Sequence, residues 1–118
     1  FGASVHFKFV RNYPPLINHK PETEFAIGVM KDVVGDDGVL ADVEPTMGSE
    51  DFAFMLQQKP GCYVFIGNGD GTHREHGHGL GPCNLHNPSY DFNDELLPVG
   101  ASYWVRLAEQ FLAQPPLR

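Results

Sequence analysis

The sequence predicts an α/β fold in which helices pack against a mostly parallel sheet. Three observations lead to this prediction: an alternating apolar segment at residues 4–11, an amphipathic pattern after Pro21 and a continuous apolar run at residues 62–66. The chain has 118 residues, of which 42% are hydrophobic and 19% charged. This composition is typical of one folded globular domain and differs from that of a disordered chain.

The first two predicted elements are a strand and a helix. Residues 4–11 alternate apolar and polar side chains, which is the period of a strand with one buried face. Pro21 suits the first turn of a helix, and apolar pairs then recur every four residues until Gly35 can end it. Residues 36–38 follow as a turn.

Two strands and a short helix are expected in the middle of the chain. Residues 39–43 are a short extended run before Pro45. Ser49 is a candidate N-cap for a helix that ends before Lys59. The apolar run at 62–66 is typical of a central strand covered on both faces.

A long irregular segment and a closing helix complete the chain. Residues 67–94 show no periodicity, and connections of this length are usually functional or mobile. From Leu97 apolar residues recur at helical spacing, with Pro98 tolerated in the first turn and Pro115 as a stop.

The charge balance excludes several classes of partner. The net charge of -7 repels phosphate backbones and anionic lipid headgroups, so we expect no nucleic-acid partner. The apolar runs are far shorter than the roughly 20 residues that span a bilayer, so we expect no membrane association. Two cysteines, Cys62 and Cys83, do not make a disulfide framework, which favours free thiols and a cytoplasmic location.

The glycine-rich stretch at 67–71 fits neither of two common loop motifs. Thr72 stands where the third glycine of a dinucleotide-binding loop would fall. In a calcium loop starting at Asn68, His73 would replace the glycine of the tight turn. Nucleotide and calcium binding are therefore disfavoured.

The histidines in and beside this loop are candidate metal ligands, because imidazole is a common ligand for zinc-like metals. They are His73, His76, His78 and His86. The first three also fit a solvated loop. His86 has acids such as Asp91 nearby that could orient its second nitrogen, and the interpretation as an ordinary loop histidine stays open.

Glu50 and Asp51 are adjacent carboxylates with two possible roles. Such a pair can act as acid and base or bind a metal. It can equally occupy the first turn of a helix without any catalytic role. Burial and ordinary loop placement explain Cys62 and Cys83 without a catalytic role.

Three ordered motifs, at residues 47–52, 60–67 and 85–94, together resemble a known family. Their order and spacing are similar to the C-terminal third of the hippurate hydrolase and indole-acetyl-amino-acid hydrolase group of metal-dependent amidohydrolases. This group is related to aminoacylase and to the glutamate-releasing carboxypeptidase. The resemblance covers nearly the whole chain, including the closing helix around Trp104.

The resemblance implies a two-domain enzyme with a zinc-exopeptidase-like α/β catalytic domain interrupted by a βαββαβ lid domain that dimerises. Residues 1–13 would be the last lid strand and residues 14–118 the C-terminal segment of the catalytic domain. The family uses two divalent metal ions, with zinc or manganese favoured, and a glutamate as general base. Of its metal ligands only the most C-terminal histidine has a counterpart here, at His86.

The chain departs from the family pattern because the Cys-Gly-His-Asp ligand motif and the paired glutamates are absent. The resemblance therefore implies that Glu50 and Asp51 line the wall of the site and that no catalytic residue lies in this chain. We expect the C-terminal part of an enzyme that cleaves hippurate-like N-acyl amino acids to a carboxylic acid and an amino acid. We expect it to be inactive without the N-terminal part of the same protein. The alternative is a stand-alone, non-catalytic binding module derived from the family.

Overall fold

The computed structural model describes residues 1–76 and 84–115, and the regular elements within them are helical. Helix α1 is Lys20–Val34, helix α2 is Phe52–Leu56 and helix α3 is Leu96–Leu112. Short 3-10 turns occupy Asp36–Gly38 and Thr72–His76. None of the helices in this part of the chain is long and apolar enough to cross a bilayer.

Helix α1 confirms the helix predicted after Pro21. The proline lies at the start of the helix, where a missing N–H costs no hydrogen bond. Gly35 ends it at a φ of 80°, and its N–H donates to the Lys31 carbonyl at 2.8 Å. Ala26 and Val29 are buried, so the apolar face of α1 meets the rest of the protein.

Helix α3 packs against α1 and confirms the predicted closing helix. The rings of Phe25 and Phe111 meet edge to face at a centroid distance of 6.3 Å. At the exposed edge of the same contact, the Gln110 amide donates to the Asp32 carboxylate at 2.7 Å. The two helices are therefore joined by both an aromatic contact and a polar one.

Helix α2 begins later than the sequence predicts. Ser49 is not its N-cap, because the helix starts at Phe52. The Glu50 carboxylate instead accepts a hydrogen bond from the Phe52 N–H at 3.1 Å. The longer Glu50 side chain thus reaches a backbone donor that has no partner within the helix.

The predicted strands are not confirmed. Residues 4–11, 39–43 and 62–66 carry no strand in the described structure, and neither does the remainder of the segment 1–13 assigned to the lid. A strand exists only through hydrogen bonds to a neighbouring strand, and these segments do not pair with one another. Within 62–66, the backbone of Tyr63 is held by the side chain of Asn18.

A large share of the apolar surface is exposed. The radius of gyration is 19.2 Å, against about 13–14 Å for a compact chain of this length. All of residues 1–13 are exposed to solvent, and Trp104 of α3 is 66% exposed. Exposed apolar surface on this scale is typical of a chain that packs against further protein.

Candidate functional site

His86 lies at the third position of a tight turn. The Asn87 N–H donates to the Asn84 carbonyl at 3.1 Å, and His86 has a φ of 66°. Turns with a positive φ at this position favour glycine or asparagine, and another residue is strained there by about 1–2 kcal/mol. The His86 side chain is exposed and makes no hydrogen bond to a described residue. The imidazole is therefore open to a ligand, while its backbone is held in an unfavourable conformation.

Asn87 shapes the chain that follows His86. Its Oδ1 accepts hydrogen bonds from the Ser89 N–H at 2.9 Å and from the Ser89 hydroxyl at 2.6 Å. Its carbonyl accepts from the Tyr90 N–H at 3.0 Å. Local side-chain bonds of this kind define a backbone without helix or sheet.

Asn68 holds the backbone beyond that turn. Its Nδ2 donates to the Asp91 carbonyl at 2.9 Å, and its Oδ1 accepts from the Asn93 N–H at 3.0 Å. The Nε2 of His73 lies 3.1 Å from the same Asp91 carbonyl. His73 is thus a partly buried hydrogen-bonding residue, and the interpretation of it as a solvated loop residue is wrong.

Gly69 permits the close approach of these two segments. It has a φ of 82°, which disfavours any residue with a side chain. A Cβ at this position would lie 2.9 Å from Nδ2 of Asn93. Asn93 precedes α3, and its carbonyl accepts a hydrogen bond at 3.0 Å from the N–H of Leu96, the first residue of that helix.

Glu50 lies at the start of α2 and faces Tyr63. The Phe52 N–H, followed by the Asp51 side chain, lowers the pKa of Glu50 below its ordinary value of 4.5. The negative charge of Glu50 is the main reason that the pKa of Tyr63 rises above 10. At neutral pH the pair is therefore a carboxylate beside a protonated phenol. Glu50 lies just before α2, not in its first turn, and bonds to the first N–H of that helix.

Cys62 is a free thiol with a structural environment. Its Sγ lies 3.7 Å from the Glu22 carbonyl of α1. Burial raises the pKa of the thiol, with a smaller contribution from the negative charge of Glu22. A thiol held protonated is a poor nucleophile, so this site supports a packing role.

Comparison with known proteins identifies the family. The model of peptidase family M20/M25/M40 matches residues 3–110. The chain belongs to this family. No solved structure gives a significant match.

Several M20 relatives are hydrolases by name. The chain is 36% identical over 100 residues to IAA-amino acid hydrolase ILR1-like 5 of Arabidopsis thaliana, covering 85% of this chain and 21% of that protein. It is 34% identical over 99 residues to hippurate hydrolase of Campylobacter jejuni, covering 84% of this chain and 23% of that protein. It is 28% identical over 112 residues to thermostable carboxypeptidase 1 of Saccharolobus solfataricus, covering 94% and 26%. The chain thus spans about a fifth to a quarter of the length of these relatives.

The M20 family is generally metal-dependent, and the resemblance makes His86 the residue to examine as a ligand. Its imidazole is exposed, and no described residue engages either of its nitrogens. Within residues 1–76 and 84–115, no three His, Cys, Asp or Glu side chains are grouped to hold a metal ion. No described contact joins His86 to Glu50 or Asp51. His78 and Cys83 lie outside the described residues, as does the side chain of His76.

Sequence reasoning missed Asn68 as a residue of this site. An asparagine before a glycine is typical of a turn, and that pattern gives no indication of a long-range partner. The hydrogen-bond partners of Asn68 lie 23 and 25 residues further along the chain. The only local signal was the length of the irregular segment, which is far beyond ordinary connections.

Proposed function

We propose that this chain is the C-terminal part of an M20 amidohydrolase and supplies one metal ligand, His86, to a site that hydrolyses hippurate-like N-acyl amino acids. The observation that carries the proposal is the turn at His86, where an exposed imidazole stands on a backbone with a φ of 66°. Strain of this kind is retained where the side chain is needed for function. The names of the hippurate and IAA-amino acid hydrolases support the substrate class.

The reaction adds water across an amide bond. The carbonyl carbon gains a hydroxyl, the C–N bond breaks and the nitrogen leaves with a proton, giving a carboxylic acid and an amino acid. Two divalent metal ions, zinc or manganese, would supply carbonyl polarisation and a water of lowered pKa. His86 contributes one neutral nitrogen to that arrangement, which requires an imidazole without a proton on the donor atom.

The remaining parts of the site come from the N-terminal part of the same protein in this proposal. That part provides the other ligands and the general base, because the described residues hold no group of three ligands. Residues 1–13 form the last strand of an α/β lid that pairs two subunits, which agrees with their exposure in this chain. Glu50 and Asp51 line the wall of the site. The free Cys62 thiol favours a cytoplasmic enzyme.

Metal content and hippurate hydrolysis of the full-length enzyme test the proposal. We expect His86→Ala to lose part of its bound zinc and to lower kcat/KM more than about 100-fold, with the fold retained. The control Gln58→Ala changes an exposed side chain just after α2 and should change neither measurement. Unchanged metal content and turnover in His86→Ala would contradict the proposal.

The 118-residue chain by itself provides a second test. We expect it to show no hippurate hydrolysis with added zinc or manganese, because one imidazole does not make a catalytic site. Turnover that a chelator abolishes would show that the remaining ligands lie within this chain.

A further inference from the structure

The strongest connection to the chain around His86 is the amide of Asn68. Its two hydrogen bonds reach the Asp91 carbonyl and the Asn93 N–H, which flank a single residue, Phe92. An amide that donates and accepts at once copies the pairing of a neighbouring strand. It fixes both the position and the tilt of this backbone.

His73 reinforces the same point of attachment. A carbonyl oxygen only accepts hydrogen bonds, so the contact at 3.1 Å requires a proton on Nε2 of His73. The Asp91 carbonyl then receives two donors, one from Asn68 and one from His73. The amide and the ring are themselves adjacent, with Nδ2 of Asn68 3.5 Å from Nε2 of His73.

Tyr90 connects this backbone to the turn that carries His86. Its N–H donates to the carbonyl of Asn87, the last residue of the turn, and its ring meets that of Phe92 edge to face at 4.8 Å. On the C-terminal side of Phe92, Asn93 is bonded to the start of α3. Its carbonyl accepts from the Leu96 N–H, and its Oδ1 accepts from the Glu95 N–H at 3.2 Å. The turn is therefore attached to α3 and to the loop at 68–73 through one short segment.

We propose that Asn68, supported by His73, is a positioning residue that aims His86 at the metal. The inference rests on the proposed function of His86 as a metal ligand. Metal sites tolerate displacements of only about 0.5 Å, and losing the direct hydrogen-bond partner of a ligand weakens metal binding about 10–100-fold. Asn68 holds the backbone that follows the ligand, so the low end of that range applies. Neither Asn68 nor His73 contacts the metal in this arrangement.

The test compares two asparagines whose side-chain amides each donate to a backbone carbonyl and accept from a backbone N–H of a distant segment, an arrangement called a clamp here. Asn68→Asp keeps the size of the side chain but turns the donor facing the Asp91 carbonyl into an acceptor. Asn18→Asp makes the same change at a clamp on Tyr63, away from the segment 84–93. Zinc affinity of the full-length enzyme is measured by competition with a chelator, and the cobalt-substituted enzyme gives a spectrum that reports metal geometry.

We expect Asn68→Asp to weaken zinc binding about 10-fold and to change the cobalt spectrum. Asn18→Asp should lower Tm without either effect. If Asn68→Asp does not fold, His73→Phe removes one donor to the Asp91 carbonyl and should weaken zinc binding by a smaller factor.

Three outcomes would overturn the inference. Unchanged zinc affinity and cobalt spectrum in Asn68→Asp, or in His73→Phe where that variant replaces it, would reject the positioning role while His86→Ala still loses metal. Equal weakening by Asn18→Asp would show a general effect of lost stability. Unchanged metal binding in His86→Ala would reject the proposed function, and the positioning role with it.

Discussion

The side-chain amide of Asn18 pairs with both backbone groups of Tyr63. Its Nδ2 donates to the Tyr63 carbonyl at 2.8 Å and its Oδ1 accepts from the Tyr63 N–H at 2.8 Å. The His19 N–H, next along the chain, donates to the Gly61 carbonyl at 3.0 Å. The approach to α1 is thereby joined to residues 61–63 as one strand is joined to another, although neither segment is a strand.

Asn18→Ala should lower the free energy of unfolding by about 1–3 kcal/mol, because both backbone groups of Tyr63 lose their partner. Urea denaturation measures the change. The control Gln58→Ala removes an exposed amide that makes no described side-chain hydrogen bond, and it should stay within about 0.5 kcal/mol of wild type. Equal values for the two variants would show that the Asn18 clamp contributes no stability.

The helices could be predicted from the sequence because their hydrogen bonds are local. Pro21 and Gly35 marked the limits of α1 within one residue, and the apolar spacing after Leu97 marked α3. The strands could not be predicted in the same way, because a strand depends on a partner whose distance along the chain the local sequence does not encode. The apolar run at 62–66 predicts burial on both faces, yet Phe65 and Ile66 are exposed in this chain.

The candidate site shows the same division between local and distant information. The residue type of His86 and its neighbouring acids made it one of four candidate histidines, and only the resemblance across three motifs assigned it as a metal ligand. Asn18 and Asn68 gave no local signal, since their partners lie 45 residues away in one case and 23 in the other. Asparagines in irregular segments are ordinary turn formers, so only the structure shows that these two hold distant backbone.

Glu50→Gln should make stability less sensitive to acid. The folded state lowers the pKa of Glu50, mainly through the Phe52 N–H, so the unfolded chain binds more protons in acid. The stability from this carboxylate is present above pH 4.5 and is lost as pH falls through the lowered pKa. Urea denaturation at a series of pH values should give a flatter decline below pH 4.5 in the variant. An unchanged slope would contradict the capping role.

The same Glu50→Gln variant should lower the pKa of Tyr63 towards 10, because the negative charge of Glu50 is the main cause of its rise. An NMR titration with labelled tyrosine follows Tyr63 directly. The control is Asp70→Asn, whose carboxylate bonds to Thr72 and does not act on Tyr63. A Tyr63 pKa that stays the same in Glu50→Gln would show that the two groups do not interact in solution.

Gly69→Ala should be more destabilising than Gly71→Ala, although both glycines have a positive φ, of 82° and 97°. Strain at a left-handed position costs either variant about 1–2 kcal/mol. Only at Gly69 would the new Cβ also meet Nδ2 of Asn93, at 2.9 Å, whereas Gly71 has open space. The difference between the two free energies of unfolding therefore measures the close approach of the loop to the start of α3. Equal losses would show that the approach is looser in solution.

Replacing His86 with glycine and with alanine separates the role of its side chain from the conformation of its backbone. At a φ of 66° glycine has no Cβ to strain, so His86→Gly should be about 1 kcal/mol more stable to urea than His86→Ala. Both variants remove the imidazole, so both should lose zinc and hippurate hydrolysis in the full-length enzyme to the same extent. Stability would then differ between the two variants while metal binding and turnover would not, as expected where a strained position is kept for its side chain. Loss of metal in His86→Ala but not in His86→Gly would instead assign the effect to the turn, and the imidazole would have no role as a ligand.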